Sequence, residues 1–332
     1  MRIILAAVLA LAALWSGYWV YGSRGVEAET RAWLDQRAAA GWIASYSDVS
    51  TQGYPNRFDT TISDLDLGDK GTDLIWSAPF LQLFRLSYSP NHIIVVWPQT
   101  QTLSTPNQRL TLTSEAAKGS LIFVPDGDTQ LDHATFVSET VAIASSDGWR
   151  VEAAKALLAT RSGPLPHAVD LGVDVTELRI GGNLADRLNA ADLTPGTIEH
   201  VKINATLGFD APWDKQAVED KPPAMTSLDL KEMQIIWGDL EFNASGALTI
   251  DPEGLPTGKI TIRAKNWREM LQLAVAVEWV PAGLAGPIES GLTFLSSVSG
   301  APETLEAPLK FENGKVAFGP ITLGDAPRLI LP

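Results

Sequence analysis

The sequence predicts a mainly β protein with a few helices, an α+β class: an N-terminal transmembrane helix, then long, curled, mostly antiparallel sheets with helices covering part of their apolar face. Three observations predict it. The chain opens on twenty uncharged residues, Ile3 to Gly22. From Ser45 onward Thr, Ser, Val, Ile and aromatic residues are punctuated by Gly, Pro, Asn and Asp, the texture of strands and turns. In Leu240 to Asp251 apolar and polar residues alternate almost unbroken for twelve positions, which puts one set on each side of a strand.

The first segment, "IILAAVLALAALWSGYWVYG", lies between Arg2 and Arg24. At roughly 1.5 Å per residue it can cross about 30 Å of hydrocarbon. A cleaved signal peptide would end in a small-x-small site, whereas this segment exits through Trp15, Tyr18, Trp19 and Tyr21. Aromatic rings favour the membrane–water interface, so these four are read as interface residues of a retained anchor. With a minimal basic N-terminus and no second span of comparable length, the rest of the chain is expected outside the cytoplasm, as a single-pass protein of a bacterial inner membrane with a periplasmic C-terminal domain.

After the anchor, "GVEAETRAWLDQRAAAGW" predicts a juxtamembrane helix from about Glu27 to Ala40, stopped at Gly41. Candidate strands follow: "RFDTTISDLDL", "HIIVVWP", "RLTLTS", "GSLIFVP", "FVSETVAIAS", "WRVEAAKALLA", "HAVDLGVDVTEL" and "VKINATLGF". "LADRLNAADLTPG" reads as a short helix by composition. "DPEGLPTG" reverses the Leu240 strand, and Ile260 and Ile262 resume its apolar face. Asn266 and Glu269 form a capping-box pattern ahead of a helix from Trp267 to about Pro281. A second helical stretch runs through Ile288, Leu292 and Leu295, and Asn313-Gly314 marks a final hairpin. The organisation is thus an anchor at 1–23, a juxtamembrane helix at 24–44, a β-rich half at 45–210, a linker-like segment at 211–225 and a second β-rich half with two helices at 226–332; one continuous domain is equally compatible.

Chemistry is sparse. Acidic residues outnumber basic ones 39 to 25, a formal charge of −14, which excludes a broad basic surface for nucleic acid. There is no cysteine, hence no disulfide and no thiolate metal site. His92, His133, His167 and His200 are scattered, without an HExxH pair, and no GxSxG, GxGxxG or GxxxxGK[ST] motif occurs. Two acidic bunches, Asp64, Asp66, Asp69 and Asp73, then Asp126, Asp128 and Asp132, lack EF-hand spacing and read as solvated turns. Of eleven tryptophans, those spread through the strands, among them Trp76, Trp237, Trp267 and Trp279, read as packing residues. No catalytic residue, metal ligand or cofactor site is predicted.

The N-terminal span, "RAAAGW", "STQGYPNRFDTTISDLDL", "GALTIDPEGLPTGKITIRAKNW" and "ENGKVAFGPITLG" together resemble a family of alphaproteobacterial envelope proteins known only as a domain of unknown function. More loosely, an inner-membrane span followed by long amphipathic strands looks like the AsmA-like envelope group; that resemblance implies an apolar groove engaged in managing lipids. Independently, a sheet with one apolar face must cover it by folding over, by docking helices or by binding an apolar ligand. The apolar-groove candidates are Leu240, Phe242, Leu248, Ile250, Ile260 and Ile262. The expected function is non-enzymatic handling of a lipid or acyl chain in envelope maintenance, with the bilayer as partner through the anchor. The alternatives are an envelope scaffold or assembly factor with a filled core and an envelope protein partner, and an unrecognised hydrolase.

The anchor reading predicts that N-terminal sequencing of the membrane-bound protein finds Ile3 to Gly22 retained. A mature chain that starts beyond the span and is soluble contradicts it.

Overall fold

In the computed structural model the chain is mainly β, with a long apolar N-terminal helix and few others. The structure describes residues 1–125, 129–190, 196–219, 221–298, 303–318 and 321–330. Asp126 and Asp128 of the second acidic bunch lie outside them. The chain forms two compact units, one of residues 1–123 and 136–147, the other of residues 124–135 and 148–332.

In the first unit, anchor and juxtamembrane helix are one continuous helix, α1 (Arg2–Ala39). Neither Gly22 nor Gly25 interrupts it, and the Phe58 ring packs so closely on Gly22 that a Cβ there would clash. Gly41, at φ +98°, ends it, while the Gly41 and Trp42 amides bond back to the Ala38 and Arg37 carbonyls. This left-handed stop is one a side chain resists.

Strands β1 (Ile43–Ser45) and β2 (Asp48–Gln52) line one edge of β3 (Arg57–Asp69), which pairs along its other edge with β4 (Leu74–Leu86). β5 (Ser89–Val96) and β6 (Thr100–Ser104) share the next edge, and both pair with β7 (Arg109–Phe123). All pairings are antiparallel. "RLTLTS" and "GSLIFVP", read separately in the sequence, are this one strand, passing through Ala116 at φ +54°. β8 (Leu131–Ser145) follows, and its residues from 136 onward belong to this unit. β4 was not among the sequence-predicted strands. Its Pro79 removes an amide from the ladder, and the partner strand accommodates it without a change of register: Ser63 pairs with Phe80 and Leu65 with Ala78, leaving Asp64, at φ +49°, opposite the proline. The left-handed conformation at Asp64 breaks the alternation, and Leu65 joins Ile62 in the same buried cluster. There α1 docks, with Leu34 (1% exposed) against Val49, Ile62 and Leu65. Asp64 and Asp66, expected in a turn, are strand residues whose carboxylates accept hydrogen bonds from Ser47 and Ser45.

The second unit is a meander in which each strand pairs antiparallel with the next: β9 (Trp149–Ser162), β10 (Ala168–Gly182), β11 (Ile198–Phe209), β12 (Met225–Trp237), β13 (Leu240–Ile250), β14 (Pro256–Lys265), β15 (Thr304–Glu312), β16 (Lys315–Phe318) and β17 (Ile321–Asp325). The 211–225 segment, with α3 (Lys215–Glu219), joins the neighbours β11 and β12, and its ends are tied by Asp210 and Ala224. α2 (Asn183–Ala190) links β10 to β11, while α4 (Trp267–Ala276) and α5 (Ala282–Val298) link β14 to β15. Within β13–β14, Gly246 is required by close strand approach: a Cβ there would meet the Lys259 carbonyl oxygen at 2.2 Å. Asn313 and Gly314, both at positive φ, form the expected two-residue turn. Leu248, Ile260, Phe311 and Val316 form one core cluster, and Trp267, Leu305 and Phe318 another.

The docking of α1 predicts that Leu34→Ala lowers the stability of the first unit by about 2–5 kcal/mol, the cost of a core cavity. Glu29→Ala, on the exposed side of the same helix, should stay within about 0.5 kcal/mol. Denaturant titration of the detergent-solubilised chain distinguishes them.

Candidate functional site

In an antiparallel meander every second connection falls at the same end. The three connections containing α2, the β12–β13 hairpin and α4 are therefore neighbours. Between them lies a cavity of about 550 Å³, within the roughly 300–1,000 Å³ of small-molecule sites.

Its walls follow from the two periodicities of secondary structure. On β12, Met233, Ile235 and Trp237 recur at a spacing of two, and Leu240 and Phe242 continue that face on β13. α2 contributes Leu184 and Leu188, one helical turn apart; α4 contributes Met270, Leu273, Ala274 and, at its end, Val277. Ile180 of β10 and Trp279 complete the lining, in which no side chain is charged. Trp279 is 84% exposed. It lies at the cavity's mouth and departs from the packing role read for it in the sequence.

Polar contacts hold these walls without entering the cavity. The Trp237 indole donates to the Gly196 carbonyl at 3.1 Å, leaving the ring body to the apolar side. Asn266 precedes α4, as expected, but does not cap it through its side chain. It adopts a left-handed conformation, φ +57°, and its amide nitrogen donates to the Asp239 carbonyl at 2.9 Å, tying the β12–β13 turn to α4. Arg187 of α2 pairs with Glu278 at 3.5 Å; both are well exposed, so the pair adds little stability.

The sequence-predicted groove residues divide between two environments. Register places Phe242 opposite Ala264, Gly246 opposite Ile260, Ala244 opposite Ile262 and Ile250 opposite Pro256. Leu240 and Phe242 reach the cavity. Leu248 and Ile260 are buried in the core with Phe311 and Val316, Ile262 packs against both core clusters, and Ile250 is buried. Sequence reading missed Met233, Ile235 and both helical walls, although the spacing within "MQIIW" and "EMLQLAV" was present as a signal.

At the other candidate region, within the first unit, the Trp15 indole donates to the Pro55 carbonyl and that of Trp19 to the Arg57 carbonyl, both at 2.8 Å. The Tyr18 hydroxyl donates to the Ser87 carbonyl at 2.7 Å, and Tyr21 remains exposed. Three of the four interface residues are thus engaged by the tip of the β3–β4 hairpin's open end, residues 53–57 and 87–88.

A larger concavity of about 880 Å³ lies over β9–β12 and is polar. Its charges satisfy one another. Asp170 accepts from Thr206 at 2.6 Å, Arg161 at 3.2 Å and Lys231 at 3.3 Å, and Glu232 accepts from Lys202 at 2.8 Å and Asn204 at 3.1 Å. Among the described residues no group of three or more His, Asp or Glu is placed to hold a metal.

Fold and site define a mainly β protein with an N-terminal helix long and apolar enough to cross a membrane and an apolar cavity roofed by helices. The chain belongs to the family described as an uncharacterized protein conserved in bacteria (DUF2125), which matches residues 19–327. No match is found among curated proteins.

The Asp170 network predicts a pH dependence. The Thr206 hydroxyl, then Lys231 and Arg161, hold the Asp170 carboxyl below its ordinary value against the opposing effect of partial burial. A depressed folded value means stability that is present above the unfolded value, about 3.9, and is lost as pH falls through the folded one. The stability difference between wild type and Asp170→Asn should therefore be constant near neutrality and shrink below about pH 4, as read by urea unfolding across pH.

Proposed function

We propose that this chain is a membrane-anchored, non-enzymatic protein of the bacterial envelope that holds an acyl chain or similar apolar ligand in the cavity beneath α2 and α4. The observation that carries the reading is that cavity: about 550 Å³, with an uncharged lining drawn from three strands and two helices. An unfilled apolar volume forgoes dispersion contacts that a hydrocarbon would restore. At about 0.8 kcal/mol per buried methylene, ten methylenes contribute roughly 8 kcal/mol before the costs of association. Binding at or weaker than micromolar is the scale expected.

The anchor supports the envelope part of the reading. Arg2–Ala39 includes a span long and apolar enough for a bilayer, with its apolar stretch outside the protein core. Inner-membrane attachment with a periplasmic domain, and kinship in role with the AsmA-like group, are parts of the same proposal. A scaffold role is the second reading. It is favoured by three large apolar residues left exposed, Trp279 and, on α5, Leu284 and Phe294.

The test uses full-length protein in membranes with a photoactivatable fatty acid. Adducts should map to peptides of α2, α4 and β12–β13. Val277→Trp, which fills the cavity, should reduce labelling there about tenfold, equivalent to about 1.4 kcal/mol. Ile260→Ala, in the packed core, should cost about 2–5 kcal/mol of stability while leaving labelling in place. Undiminished labelling in a well-folded Val277→Trp protein would rule the cavity out and leave the scaffold reading.

A further inference from the structure

The contacts between α1 and the open end of the β3–β4 hairpin fix how the first unit meets the membrane. This inference rests on the proposal that α1 is an anchor and concerns a different part of the chain from the cavity.

The apolar run free of protein contact is short. Between the charge of Arg2 and the first ring bound to the hairpin tip, Ile3 to Leu14 extends about 18 Å at 1.5 Å per residue, against about 30 Å of hydrocarbon. Reaching back, the long Arg2 side chain makes up only part of the difference. The remaining length must come from the two helical turns after Leu14, and those turns carry Trp15, Ser16, Tyr18 and Trp19, the residues bound to the hairpin tip. No flexible linker separates span from domain, because α1 is continuous to Ala39 and docked through Leu34. The tip therefore travels with the helix into the membrane's boundary layer.

Its composition suits that layer. Tyr54 and Tyr88, at the two loops, are 57% and 64% exposed although both are aromatic. Tyr54 stands edge-on to Trp19 with ring centroids 5.5 Å apart, and its hydroxyl lies 2.9 Å from the Ser16 hydroxyl. Arg57 and Arg85 stand just above, Arg57 paired to Asp59 at 2.8 Å and Arg85 over the Phe58 ring. Backbone groups entering a low-water region must find partners within the protein. Here the Gly53 carbonyl accepts from Arg57, the Asn56 carbonyl from Ser87, and the Pro55, Arg57 and Ser87 carbonyls from the anchor's own side chains.

We propose that this tip is a membrane-seating surface: Tyr54, Pro55 and Tyr88 enter the interfacial layer of the bilayer beside the anchor, among lipid glycerol and upper acyl groups, with Arg57 and Arg85 at the phosphates. The first unit is then held upright on the membrane, and the β3–β4 turn at Lys70 stands thirteen residues of β3 away, about 40 Å at 3.3 Å per residue.

The absence of cysteine makes single labels unambiguous. Full-length Tyr54→Cys, Asn56→Cys and Tyr88→Cys proteins, carrying an environment-sensitive fluorophore, are reconstituted in phosphatidylethanolamine–phosphatidylglycerol vesicles. All three positions are exposed, Asn56→Cys keeps the Tyr54 contacts to Ser16 and Trp19 in place, and the fold of each labelled protein is checked by circular dichroism. The expected result is blue-shifted emission, loss of fluorescence to a spin label on the upper acyl chain, and protection from aqueous iodide. Lys70→Cys should show the reverse, and Val8→Cys reports the anchor itself. If Val8 is shielded in the bilayer while the tip positions are quenched by iodide as Lys70 is, the seating surface is overturned and the anchor stands. If Val8 too is open to iodide, the anchor reading fails and the seat with it.

Discussion

The covering of one apolar sheet face is the constraint on which the rest of the structure depends. A strand with a period of two presents all its apolar side chains to one side, and that side must be removed from water. In the first unit α1 does this by laying Leu34 on Val49, Ile62 and Leu65. In the second, β15, β16 and the start of α4 close the cores around Ile260 and Trp267. Where the packed core ends, at Leu240 and Phe242, the covering helices stand off from the sheet and leave the cavity. Candidate site and core are thus one continuous apolar surface with two kinds of cover.

Keeping that surface continuous over long strands requires corrections to parity, and the chain makes them at local breaks in the alternation. In β12, Leu228 and Leu230 face the core on one parity, and Met233, Ile235 and Trp237 on the other. The register shift after Leu230 reconciles them. The residues it displaces, Lys231 and Glu232, are charged and turn to the polar concavity, where they pair with Asp170 and Lys202. In β3 the alternation breaks without a register shift, at Asp64, whose left-handed backbone stands opposite Pro79. Each break both re-aims a charge and restores an apolar face.

Polar groups at the edges of apolar regions are satisfied by side chains chosen for two-sided chemistry. Trp15, Trp19 and Tyr18 present rings to one environment and a donor to another. Trp237 repeats the device at the cavity. Asn266 tolerates a left-handed backbone and spends its side chain on the β12–β13 turn rather than on the helix start, which fixes the cavity's wall at the cost of a conventional cap.

By itself the sequence determined the class, the apolar span, the Gly41 stop, the Asn313-Gly314 hairpin and the shared face of β13 and β14, because each rests on local spacing or on a backbone conformation that few residues adopt. β4 and β12 escaped it, since Pro79 and the Lys231 bulge break the alternation by which strands are recognised. Tertiary structure alone decided that Leu240 and Phe242 line a cavity while Leu248 and Ile260, on the same face, are packed core. That difference depends on which elements arrive over each position, and in a meander this is set by the end at which each connection falls. It also decided that Trp15, Tyr18 and Trp19 face a protein tip, because their partners are backbone carbonyls about forty to seventy residues away in the chain, and a backbone carbonyl has no signature in sequence.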